Sequence, residues 1–153
     1  MMIRKSLLAI TLAAAGTSGI AIQATAQSVD VPFTGVVQGT CSFSNLVPGV
    51  MVSAGSNVLD TRAPGGSSGA VTVICNQSAD LLVSNAVQTA GPSFTVGKVM
   101  PEATSSSGGF ANGGQPLFLP SGQTQVSVDM WVDSPETIPA GNYGYNVSLT
   151  IVP

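Results

Sequence analysis

Residues 28–43 read SVDVPFTGVVQGTCSF, and the fold turns on how this stretch is read. Val29, Val31, Phe33, Gly35 and Val37 fall on every second residue, while Ser28, Asp30 and Thr34 point the other way. That is the period-2 signature of a strand with one apolar face. The stretch follows an export-like leader and runs through the first cysteine, Cys41. A strand with a row of apolar knobs needs a groove to lie in. The groove belongs either to the same chain or to a neighbour.

Upstream, Arg4 and Lys5 precede a short apolar run from Leu7 to Ala15, and Ala24-Thr25-Ala26 is a small-x-small cleavage signal. These features predict a secretory leader over residues 1–26. The apolar run is shorter than the roughly 20 residues a membrane span needs. No membrane association is expected once the leader is removed.

Beyond residue 26 only Arg62 and Lys98 are basic, against seven carboxylates, and the whole chain carries a formal charge of −3. Such a chain has no electrostatic footprint for nucleic acid or anionic lipid. Charged residues make up 7% of the sequence, against the usual quarter. The surface must therefore be Ser, Thr, Asn, Gln and Gly, which suits a protein packed against copies of itself outside the cell. Cys41 and Cys75 are the only cysteines. In an exported chain an even pair reads as a disulfide; two free thiols are the alternative.

Downstream, Gly69 to Cys75 (GAVTVIC) is a strong strand, with Val71, Val73 and Cys75 on one face. Strands are also expected over Leu81–Val87, over Phe94–Met100 with Pro101 as a stop, at Leu117-Phe118-Leu119, and over Val126–Val132. Residues 103–114 are rich in Ser and Gly and read as a mobile loop. In the last strand Tyr143, Tyr145, Val147, Leu149 and Ile151 alternate with Gly144, Asn146, Ser148 and Thr150. No capped helical pattern follows the leader. About eight short strands separated by turn signals predict an all-β, antiparallel sandwich or barrel of one domain. Asn76-Gln77-Ser78 and Asn146-Val147-Ser148 match glycosylation sequons by chance, the second lying inside a strand.

Chemistry is sparse. The chain has no histidine, which removes the usual general base, the usual metal ligand and any Ser-His-Asp triad. No cofactor, metal or catalytic residue is expected. Asp129, Asp133 and Glu136 form the one acidic cluster, read as solvent-facing charge rather than a calcium site or glycosidase pair. Trp131, the lone tryptophan, is read as half-buried on a sheet; stacking on a sugar is its functional alternative.

Three motifs together give the chain a likeness. One is Val31-Pro32-Phe33-Thr34-Gly35-Val36-Val37 shortly before Cys41. Another is GAVTVIC ending in Cys75, and the third is Pro139-Ala140-Gly141-Asn142-Tyr143 leading into the last strand. In order and spacing the chain resembles a chaperone–usher pilin subunit, or the related spore coat protein U domain. The resemblance implies an immunoglobulin-like β-sandwich that lacks its final strand, over residues 41–153. Residues 27–40 would be the extension donated to a neighbour, a form of strand addition. It implies Val29, Val31, Phe33 and Val37 as inserted knobs, with Gly35 where two backbones approach closely. Tyr143, Tyr145, Val147, Leu149 and Ile151 would border the acceptor groove. Partners would be copies of the chain or related subunits, a periplasmic chaperone and an outer-membrane usher; the location would be the cell surface, reached through the periplasm. The ending Ile151-Val152-Pro153 departs from the penultimate tyrosine of classical pilins, and the extension is short; both fit the archaic branch better. The competing reading is a secreted, self-complete sandwich that binds carbohydrate through Trp131, Tyr143 or Tyr145.

Overall fold

The computed structural model describes residues 27–152; the expected leader lies outside them. The chain divides into two units, Met1–Gly35 and Val36–Pro153. Among the described residues there is no helix, and hence none long and apolar enough to cross a membrane.

The second unit is all-β, with antiparallel strands throughout. Its largest sheet is built on β10 (Gly122–Asp133). Along one edge β10 pairs first with β4 (Gly69–Cys75) and then with β3 (Val58–Asp60); along the other it pairs with β7 (Lys98–Ser105). Outward from these lie β1 (Cys41–Val47) on β4, β2 (Val52–Ser53) on β3, and β8 (Phe110–Ala111) on β7. Opposite this sheet, β5 (Ala79–Val83) pairs with β9 (Leu117–Leu119) and with β12 (Leu149–Val152). A short ladder of β6 (Val87–Ala90) with β11 (Gly144–Asn146) accompanies it.

Alternation explains the packing. Val71, Val73 and Cys75 of β4 and Val126 of β10 point inward onto Leu81 of β5 and Leu117 and Leu119 of β9, all buried. Each of these valines and leucines contributes about 1.5–3 kcal/mol when fully buried. A second cluster centres on Leu59, Met130 and Val132. Val147 packs against both.

The expected disulfide is present: Cys41 and Cys75 are bonded and face each other as the first register pair of β1 and β4. Closing a loop across 34 positions, it stabilises by about 4 kcal/mol in the chain-entropy account.

Four expectations need correction. The strand predicted over residues 28–43 forms only from Cys41; no residue of 27–40 is in a strand. A strand needs a partner for its backbone N–H and C=O groups, and alternation alone does not supply one. Pro101 does not stop its strand, which runs on to Ser105 with Pro101 opposite Met130. On the outer edge β8 covers only Ala103 and Thr104, so the missing N–H of Pro101 leaves no partner there unsatisfied. Residues 103–114 are not one loop: the chain turns at Gly108 and Gly109, both at positive φ, and returns as β8, burying Ala103 and Ala111. The last strand is broken into β11 and β12, because its partner is broken too, between β5 and β6. Ser84 and Ser148 bridge the gap: the Ser148 amide donates to Ser84 Oγ (2.8 Å) and the Ser84 amide to the Ser148 carbonyl (2.9 Å).

Candidate functional site: an open groove between two sheet edges

Among the described residues β1 and β12 each have a neighbour on one side only, β4 and β5 respectively. On the far side of the two layers β7 and β9 meet. On the near side two adjoining depressions, each of about 390 Å³, lie between β1 and the β11–β12 segment. They share Leu46, Val71, Val147 and Leu149. The groove is thus walled by two unpaired strand edges and floored by core side chains, including Val128 and Met130.

Local sequence builds each wall. In β1, Phe43 is opposite buried Val73 and so sits on the inward face, yet it is 46% exposed because no described residue covers it. The ladder then shifts between Ser44 and Val47. Asn45 takes the left-handed conformation there (φ 52°), which Asn tolerates better than most residues. Beyond the bulge Leu46 lines the groove and stays exposed. On the other wall Tyr145, Val147 and Leu149 line the groove and are half-buried. Tyr143 and Ile151 are half-buried too but do not line it, Tyr143 facing a different depression with Ile138 and Pro139. Asn146, Ser148, Thr150 and Val152 are exposed. Apart from Gly144, which is half-buried, the alternation expected of this segment survives its break. Burial pushes the Tyr145 hydroxyl pKa up, and Tyr143 adds to the shift. The Tyr143 hydroxyl donates to the Pro139 carbonyl at 2.6 Å, and its ring packs edge-on against Phe94 at 5.5 Å.

The walls run in opposite directions. Phe43 lies near Leu149, whereas Pro48 lies at the Tyr145 end. A strand laid between them is necessarily antiparallel to one and parallel to the other.

Residues of the N-terminal segment are exposed: Val29, Val31, Phe33 and Val37 at 63–93%. A Cβ on Gly35 would meet nothing within 4 Å. Val29 to Val37 has the same number of residues as Tyr143 to Ile151. The root of the segment is pinned. Asn76 accepts from the Thr40 amide through Oδ1 (2.8 Å), donates through Nδ2 to the Gln38 carbonyl (2.8 Å), and its own amide donates to the Thr40 carbonyl (3.0 Å). Residues 38–40 therefore continue the line of β1.

The acidic cluster does not converge, and no group able to hold a metal forms among the described residues. Asp129 is instead engaged on its own sheet. Burial would push its carboxyl pKa up, but hydrogen bonds from Ser68 and Thr61 and the charge of Arg62 outweigh that and hold it below the ordinary value. Sequence reasoning missed the β1 wall, Phe43 and Leu46, by assigning Phe43 to the preceding strand. The cysteine pairing could have shown it, since Cys41 beside Cys75 starts the β1–β4 ladder there.

Comparison with family models, with curated proteins and with solved structures finds no match to this chain.

Proposed function

We propose that this chain is a structural, non-enzymatic subunit of an extracellular fibre or surface coat, assembled by strand donation. The groove between the β1 and β12 edges is the acceptor, and residues 29–37 of the preceding subunit are the donor. The observation that carries this reading is the groove itself. An apolar slot between two free edges is an aggregation hazard unless something fills it, and an alternating strand is the shape that does.

Direction favours a neighbour over the chain's own arm. An arm folding back through residues 38–40 would run antiparallel to β1 and hence parallel to β12. It would also need those residues to turn, where Asn76 holds them in line with β1. A neighbour's arm is free to take the antiparallel pairing with β12, the slightly stronger ladder. The Tyr143–Pro139 bond at the start of the last strand pair is the corner device of immunoglobulin-like sandwiches, which supports that finer assignment. The disulfide supports export to an oxidising compartment. On this reading a periplasmic chaperone covers the groove until an outer-membrane usher exchanges it for the next subunit, in an archaic-type pathway.

The test is complementation between two crippled chains. Phe33→Asp spoils the donor, and Leu149→Asp spoils the acceptor. Each alone should give no SDS-resistant oligomer, whereas a mixture should give a heterodimer and nothing longer. Polymerisation of a chain lacking residues 27–37 would overturn the reading.

A further inference from the structure

The outer face of the large sheet gathers most of the reactive side chains of the described chain. Strand register lays them out as a grid. Trp131 of β10 sits between Asp60 of β3 and Met100 of β7. On one side of that row Asp129 faces Glu102; on the other Asp133 faces Lys98. All of these but Asp133 line a depression of about 290 Å³. Both cations of the described residues, Arg62 and Lys98, line it, and so does the lone tryptophan. Elsewhere the charged surface is sparse.

Arg62 is held in place from below. Its Nη2 donates to Glu102 Oε1 at 2.7 Å, and its Nε lies 3.3 Å from Asp129 Oδ2. Asp129 is itself fixed, accepting on Oδ1 from Thr61 Oγ1 (2.8 Å) and Ser68 Oγ (2.5 Å). The guanidinium is thus oriented before any ligand arrives, with its side chain still half exposed. The hydrogen bond to Glu102 raises the Arg62 pKa further, so the donor is always charged. Among the described residues Lys98 is in no ion pair and remains a free donor.

We infer that this depression is a carbohydrate site that takes a neutral pyranose. The ring's apolar face stacks on Trp131 and Met100. Its equatorial hydroxyls donate to Asp60 and Glu102 and accept from Arg62 and Lys98. The chemistry selects this class. An apolar floor with donors and acceptors alternating around a rim matches a ring that is apolar on one face and hydroxylated at its edge. An inorganic anion would meet three carboxylates, and a flat aromatic ligand would leave the rim unused. The inference does not rest on strand donation, since the grid lies on the outer face, away from the groove.

Trp131 reports its own site. Titrating the purified protein with methyl glycosides of glucose, galactose and mannose should give, for at least one, a saturable fluorescence change that is insensitive to salt. Arg62→Ala should weaken that sugar about tenfold or more, the loss of one charge-assisted hydrogen bond. Glu102→Gln should weaken it too, and serves if the Arg62 variant misfolds. Trp131→Ala, followed by ligand-observed NMR, should abolish binding, while Phe118→Ser on the opposite sheet should leave it unchanged. No response to any neutral glycoside would overturn the assignment. So would binding of choline or inorganic phosphate in their place with strong salt dependence, which would mark an ion site.

Discussion

Phe33 is 93% exposed, so replacing it should leave the isolated subunit's stability where it was. If the side chain enters a neighbour's groove, the same replacement must weaken the joint. Burying a Phe side chain contributes about 1.5–3 kcal/mol, and the half-open wall around Phe43 and Leu46 does not argue for more. At 1.4 kcal/mol per decade, Phe33→Ala should speed dissociation of the joint by roughly 10- to 150-fold. Val31→Ala removes fewer carbon atoms and should cost less. The assay is the rate at which assembled oligomers fall apart in SDS at rising temperature, set beside the thermal midpoint of the monomer. The expected pattern is an unchanged monomer midpoint with a sharply faster loss of oligomer. Oligomers of Phe33→Ala that persist like wild type would refute the reasoning, and a lowered monomer midpoint would place Phe33 in its own fold instead.

Three further outcomes follow from other contacts. Reducing the Cys41–Cys75 bond should lower unfolding free energy by about 4 kcal/mol, read from denaturant midpoints with and without reductant. Asn76→Ala should cost about 1 kcal/mol or less and strip the Thr40 amide of its hydrogen-exchange protection; a Thr40 amide that stays protected would show that Asn76 does not pin the arm's root. Tyr143→Phe should cost about 1 kcal/mol by leaving the Pro139 carbonyl without its donor, again read from denaturant midpoints.

Much of the sandwich was legible because burial writes alternation directly into sequence. GAVTVIC is β4 to the residue, and the Tyr143–Ile151 alternation matches the half-buried face even across its break. Four features were not legible, each for a physical reason. Pro101 reads as a stop, but it sits where the outer edge of β7 has no partner to lose. The Ser/Gly run after Ala103 reads as a loop, but glycines at positive φ make a tight turn there. β3 is three residues long, too short for any period to show. The ion-pair grid around Trp131 depends on register across three strands, and register is a tertiary property.

Asp129 makes the sharpest pH prediction, because the grid depends on its charge. Its folded pKa is depressed, so the unfolded chain binds its proton more readily than the folded chain does. The stability this contributes is present above the ordinary aspartate pKa of about 3.9 and is lost as pH falls through the lower folded value. Asp129→Asn removes that linkage. Its denaturant midpoint should fall below wild type near neutrality, and the gap should close as the solution is acidified through the carboxylate range. The neutral amide also releases Arg62 from one of its two carboxylates, so the pyranose affinity of the Trp131 depression should drop at neutral pH as well. A variant whose stability deficit stays constant across that pH range would show that Asp129 acts through packing and not through its charge.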